Sequence, residues 1–204
     1  MAQYLKEEVR DRIRAAALGA FASEGYAEAT MAGIAAAAGV SAGNLYRYFE
    51  SKEDLFDAVV PRRLVRRFRR LLSERLRGAE GERDVRDLGP EHRYWLASGE
   101  LFDFVLQHRL EVIAFLGRGR GTAYERVHGE VVDELVDAAT RHSAALAGSV
   151  DGRATLAFDL EQIYRNFVDS LVRILKRFES NDEIREAVGA YERYHLAGLA
   201  ALLP

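Results

Sequence analysis

The chain has no cysteine. Disulfides, thiolate catalysis and thiolate-held zinc are therefore excluded. Proline is nearly absent too, at 3 residues in 204, so few positions force a helix to kink or stop. Histidine occurs only at 92, 108, 128, 142 and 195, and none lies three to five residues from another. That spacing signals no metal site, and no cofactor is expected. No window approaches the ~18 consecutive apolar residues of a membrane span. The first thirty residues mix charge with apolar groups, as in Lys6-Glu7-Glu8-Val9-Arg10, and lack the apolar core of a secretory signal. The expectation is a cytoplasmic protein with no membrane partner. Strand-like alternation, internal repeats and low-complexity tracts are also missing, which points to an all-α protein.

What is present is ordinary globular material, 49% hydrophobic and 30% charged, in a length that suits one small and one medium helical domain. Helical periodicity begins at about 4–24, where Leu5, Val9, Ile13, Ala17 and Phe21 recur every four residues. Short helices are expected at about 31–38, 42–48 and from 52, with Thr30, Ser41 and Ser51 as N-caps. Asp54 completes a weak capping box with Ser51. Pro61 either kinks the fourth helix or starts a new one, and it is read as a first-turn proline or as a hinge. Residues 78–90, rich in glycine and charge, read as a linker. Helical pattern returns at about 91–116 and 122–147, with breaks at 117–122 and 148–152. Gly117-Arg118-Gly119-Arg120-Gly121 lacks the strand and the Lys-Ser/Thr of a nucleotide loop.

The last two helices, about 153–178 and 182–203, carry the strongest stripes. Leu160, Phe167, Leu171 and Ile174 lie on the first; Val188, Tyr191, His195 and Leu199 lie on the second. The first is apolar over too wide an arc for one buried face. The pair reads as half of a four-helix bundle completed by a second copy of the chain, and those eight residues are the expected dimerisation set.

The informative stretch is 30–49. A helix-turn-helix needs a small residue at the helix crossing, a tight turn and apolar clamps at fixed offsets. Ala35, Gly39, and Ile34, Ala38, Val40, Leu45 and Tyr48 supply these together. The charge agrees. Residues 1–77 hold 14 Lys and Arg against 10 Asp and Glu, whereas the remainder holds 15 against 22. A basic end on an acidic body suits one docking orientation on a polyanion. Asn44 can pair with adenine, Ala42 can touch a thymine methyl, and Gly43 allows close approach. Ser41 opens the recognition helix, and the helix end at Thr30 suits a phosphate as well as a cap. Tyr46 is a candidate for phosphate or thymine methyl, and Arg47 is a contact or a solvated charge.

The run Thr30, Ile34-Ala35, Ala38-Gly39-Val40-Ser41, Leu45-Tyr46-Arg47-Tyr48-Phe49 and Ser51-Lys52-Glu53-Asp54-Leu55 closely resembles the tetracycline-repressor (TetR) family of regulators. The resemblance covers about fifty residues. It implies a DNA-binding domain over 1–60, a ligand-sensing and dimerisation domain over 61–204, and homodimeric binding to a palindromic operator in double-stranded DNA. It also implies phosphate contacts at Lys52 and at Tyr48, the latter being a packing position as well. The expected function is a ligand-released transcription regulator, most readily a repressor, and not an enzyme.

The effector is expected to be small and hydrophobic or aromatic, with Trp95, Phe102, His108, Phe115, Tyr124, Tyr164 and Phe167 as candidate liners. Arg62, Arg63, Arg66, Arg67, Arg69 and Arg70 crowd one segment. They form an acid-paired or solvated face, a phosphate stripe or an anion sensor. Competing classes are a helical enzyme, a non-specific DNA-coating protein and an interaction protein. The enzyme lacks any nucleophile–base pair. The coating protein would yield to competitor DNA, and the interaction protein would have no use for Thr30, Gly39, Asn44 and Lys52.

Overall fold

Thr30, Ser41 and Ser51 do start helices. Their hydroxyls accept from the backbone N–H groups of Gly33, Asn44 and Asp54 at 3.0, 3.1 and 3.0 Å, which satisfies donors the first turn leaves unpaired. In the computed structural model, residues 2–117, 122–147 and 155–203 are described. They form α1 (Ala2–Ser23), α2 (Met31–Ala37), α3 (Ala42–Tyr46), α4 (Lys52–Val59), α5 (Arg62–Ala79), a 3-10 turn (Val85–Asp87), α6 (Arg93–Gln107), α7 (Arg109–Leu116), α8 (Val127–Ala147), α9 (Leu156–Arg177) and α10 (Asn181–Leu202). No strand occurs among the described residues. The fold is all-α. Of the expected breaks at 117–122 and 148–152, residues 118–121 and 148–152 lie outside the described residues.

The chain forms two compact units. The first comprises Met1–Arg66 and His108–Val127; the second comprises Arg67–Gln107 and His128–Pro204. The first unit is thus discontinuous in sequence. In the first unit Ile13, Ala17 and Phe21 of α1 are buried with Leu55 and Phe56 of α4. Phe21 meets Phe56 edge-on at 5.0 Å, and Tyr26 does so at 5.2 Å. Each such ring contributes about 2–3 kcal/mol on burial. α7 packs on α1, with every residue from Val112 to Leu116 buried.

Two expectations change. The single helix over 91–116 divides at His108, whose φ of −117° and ψ of 36° are non-helical. Both flanks are strongly helical, so periodicity carries no sign of the break. It falls where the chain passes from the second unit to the first. Gly78 and Ala79 belong to α5 rather than to a linker. A Cβ at Gly78 would lie 2.8 Å from the Tyr94 Cα, so the glycine permits close approach of α5 and α6. Pro61 immediately precedes α5 and does not kink α4, which ends at Val59.

In the second unit Phe68, Leu71 and Leu72 of α5 are buried, as are Leu160, Phe167 and Val168 of α9. Ser180 caps α10, accepting from Glu183 N at 3.2 Å and donating to its carboxylate at 2.7 Å. The expected dimerisation set divides by burial here. Leu160, Phe167 and His195 are buried by their own chain, and Leu171, Ile174, Val188, Tyr191 and Leu199 are half-buried. The bare stripe of α10 is the neighbouring one: Ala190, Tyr194, Ala197, Gly198 and Ala201 are all exposed, Tyr194 at 74%. Helical period identifies stripes but not which of them its own chain covers.

Candidate nucleic-acid interface

The turn between α2 and α3 is built from its backbone upward. Ala38 ends α2, and Gly39 adopts φ +67°, a left-handed conformation that glycine takes without a Cβ penalty. Gly39 N donates to Ala36 O at 3.1 Å and Val40 N to Ala35 O at 3.0 Å. This paired pattern is the Schellman stop, and it leads directly into Ser41. Ile34, Ala35, Ala38, Leu45 and Phe49 are buried beneath it. The two helices are therefore clamped from below and capped at both adjoining ends.

The outer face of α3 is bare. Ser41, Ala42, Gly43, Tyr46 and Arg47 are exposed, and Asn44 and Tyr48 are half-buried. Thr30 is exposed at the start of α2. All nine residues expected at the DNA, the half-buried Lys52 included, are at least partly accessible.

Lys52 departs from the expectation of a phosphate contact. Its Nζ donates to the carbonyls of Tyr26, Ala29 and Ala27 at 2.7, 3.0 and 3.2 Å and lies 4.4 Å from the Tyr26 ring centroid. An ammonium has three donors, and all three are engaged. Lys52 ties the segment between α1 and α2 to the start of α4. Burial, with the Glu53 and Asp57 carboxylates, raises the Tyr26 pKa, so the ring stays a neutral partner.

The arginine run divides. Arg69 pairs with Glu130 at 2.7 Å and lies 4.0 Å from Glu134. Arg70 lies 3.7 Å from Glu74, and Arg67 stands over the Phe104 ring. Arg69 and Arg70 fit the acid-paired reading. Arg62, Arg63 and Arg66 are exposed and make no ion pair among the described residues.

The expected effector liners are not gathered in one unit. His108, Phe115 and Tyr124 belong to the first, and Trp95, Phe102, Tyr164 and Phe167 to the second. Phe115 is fully buried. Tyr124 donates its hydroxyl to Val60 O at 3.2 Å and sets its ring 5.8 Å from Phe56. Both are core residues of the first unit. Phe102 is covered by the Arg185 guanidinium at 5.0 Å.

Sequence reasoning missed a polar cluster inside the second unit. Arg75 of α5 donates Nε to Ser98 Oγ at 3.0 Å and Nη2 to both Tyr94 Oη at 2.7 Å and Glu192 Oε1 at 2.5 Å. Burial alone would lower its pKa, but Tyr94 and Glu192 outweigh that and hold it above the usual value. Three residues along α10 from Glu192, His195 stacks on Phe167 at 4.0 Å and meets Tyr164 at 5.3 Å. Burial and the Arg75 charge push the His195 pKa down to about 4. Burial pushes Tyr164 up to about 12, against the opposing pull of Arg75. A sequence signal existed: Arg75 continues the stripe of Phe68, Leu71 and Leu72, a place where charge is costly unless paired.

Two short capped helices, a left-handed glycine turn and a bare second helix define a helix-turn-helix DNA-binding protein. Residues 13–59 match the model of bacterial regulatory proteins of the tetR family. This segment is thus similar to the DNA-binding domain of that family of transcription regulators. The whole fold is similar to a TetR-like transcriptional regulator from Rhodococcus sp. RHA1, at 21% identity over 94% of this chain and 96% of that one, TM-score 0.51. It is also similar to a TetR-family transcriptional regulator from Bordetella parapertussis 12822, at 20% identity over 90% and 93%, TM-score 0.51. No curated protein matches the sequence. No helix among the described residues is long and apolar enough to cross a membrane.

Proposed function

We propose that the chain is a cytoplasmic repressor that binds a palindromic operator as a homodimer and is released by a small effector held in residues 61–204. The observation that carries the DNA half is the bare, capped recognition helix. Asn44 reads a base, Ala42 and Gly43 let the helix approach, and Tyr46 and Arg47 flank it. Thr30, Ser41 and Tyr48 present hydroxyls toward the phosphates. Arg62, Arg63 and Arg66 add positive charge to the same compact unit.

The uncovered stripe of Ala190, Tyr194, Ala197, Gly198 and Ala201 supports the homodimer. Small residues let a second α10 approach closely, and Tyr194 supplies the large apolar contact. α9 adds Leu156, Ile163 and Ile174, all half-buried in the single chain. Two recognition helices one helical turn apart would then enter successive major grooves. The effector releases DNA by favouring a conformer whose spacing no longer matches.

The test has two parts. Sedimentation of the purified chain should give a dimer, and Ala197→Glu, which buries a charge in that stripe, should give a monomer with weakened operator binding. A reporter promoter overlapping the bound sequence should fall in output when the protein is supplied. A monomeric wild type, or rising output, would contradict the reading.

A further inference from the structure

Three arginines of α1 differ in what they hold. Arg14 is engaged within the fold: its Nη2 donates to Ala58 O at 3.1 Å, and its Nη1 lies 3.9 Å from Asp11. Arg10 and Arg12 are exposed and make no hydrogen bond or ion pair among the described residues. Both nevertheless reach the helix-turn-helix of their own compact unit. Arg12 Nη1 stands 3.7 Å from the position a Cβ would take at Gly39, in the turn just before Ser41. The Arg10 guanidinium stands 5.6 Å from the centroid of the Phe49 ring, just beyond Arg47 and Tyr48.

Helix geometry sends the two side chains to opposite ends of α3. Residues two apart on a helix point about 200° apart. Arg10 and Arg12 therefore leave α1 on opposite flanks of the stripe that buries Ile13 and Ala17. One ends beside the entrance to α3 and the other beside its exit. Neither place needs a charge for the fold. Gly39 is fixed by the backbone bonds of its turn, and a cation–π contact at an exposed site is weak. A guanidinium carries five N–H donors in a planar fork that matches a phosphate. The major groove, about 12 Å wide, has a phosphate backbone on each margin.

We propose that Arg10 and Arg12 are phosphate contacts that fix the seating of α3 on duplex DNA, one at each end of that helix. They carry no base preference; they position α3 while Asn44 reads. The Phe49 ring holds the Arg10 guanidinium at its face and leaves the N–H groups to the backbone of the duplex. α1 is thereby part of the DNA interface as well as the floor beneath the helix-turn-helix. The assignment rests on the proposed reading of α3 as the recognition helix.

The test is fluorescence anisotropy of the full chain on a labelled duplex of mixed sequence, over a series of NaCl concentrations. Arg10→Gln and Arg12→Gln should each lower the salt slope by about one unit and weaken binding about tenfold at about 0.1 M salt. The double variant should lower the slope by about two units. Arg10→Lys and Arg12→Lys keep the positive charge and should restore most of the slope. All of these should keep the wild-type urea midpoint. Arg83→Gln removes an equal charge from an exposed site in the second unit and should leave the slope unchanged. The proposal is overturned if both glutamine variants keep the wild-type slope, if lysine fails to restore it, or if Arg83→Gln lowers it as much, which would reduce the effect to net charge. Retention of a selected sequence against excess unrelated duplex is measured on the same preparations. A wild type that retains it, with any of those outcomes, rejects the α1 contacts alone, whereas a folded wild type that binds no duplex rejects the regulator reading itself.

Discussion

The Lys52 ammonium sits 2.7 Å from the Tyr26 carbonyl oxygen and 4.4 Å from the centroid of the same residue's ring. One side chain thereby closes the segment leading into the helix-turn-helix and is held by a cation–π contact as well. Its charge still adds to the basic field of the unit, but its N–H groups are committed to the fold.

Lys52→Ala should therefore act on stability before it acts on DNA. Losing charge-assisted bonds to three carbonyls should cost about 2–3 kcal/mol, read as a lower urea midpoint. The salt dependence of DNA binding by the remaining folded protein should change little. A drop of about one unit in the salt slope with unchanged stability would return Lys52 to the phosphate role.

Asn44 and Arg47 should separate in kind. Asn44→Ala should change which base is preferred at one position of each half-site. Arg47→Ala should weaken binding to all sequences alike and lower the salt slope by about one unit. Binding to a panel of single-base variants at several salt concentrations distinguishes the two. Equal weakening by Asn44→Ala across the panel would remove its base-reading role.

Gly78→Ala should destabilise the protein although alanine is the better helix former. The helix gains about 1 kcal/mol from the substitution. The new Cβ, however, meets the Tyr94 backbone at 2.8 Å, and overpacking of this kind costs about 1–3 kcal/mol. A lower Tm is expected, with disturbance centred on Arg75 and Tyr94. A raised Tm would show that α6 gives way freely.

His195 sets a pH limit on stability. Its pKa in the folded chain is about 4, against 6.5 for the unperturbed group. The unfolded chain therefore takes up a proton that the folded one refuses. Stability from this residue is intact above about pH 6.5 and is lost as pH falls toward 4, by roughly 3 kcal/mol at the end of that window. His195→Gln should flatten this part of the stability profile measured by urea titration between pH 7 and 4. An unchanged slope would place the imidazole in water.

The two ends of the chain were legible to different degrees. The N-terminal third could be read nearly residue by residue, because caps, glycine turns and clamp positions are local and each has its own chemistry. Ser41, Gly39 and Leu45 do what their spacing predicts. Lys52 escaped because its partners are carbonyl oxygens 23 to 26 residues away, and any residue type can offer a carbonyl. The break at His108 escaped because helix formers flank it on both sides. In α10 the period located the stripes, yet the covered one and the bare one differ only in what packs against them. The Arg75 cluster draws on four helices, so no window of sequence contains it. Only the misplaced charge on the α5 stripe marks one of its members.

The most direct measurement is selection of the full chain on a random duplex pool, followed by sequencing of the retained DNA. The account predicts one enriched palindrome whose half-sites are spaced by about one helical turn, retained against excess unrelated duplex. A folded, dimeric protein that enriches no sequence, or only a single asymmetric half-site, would contradict it.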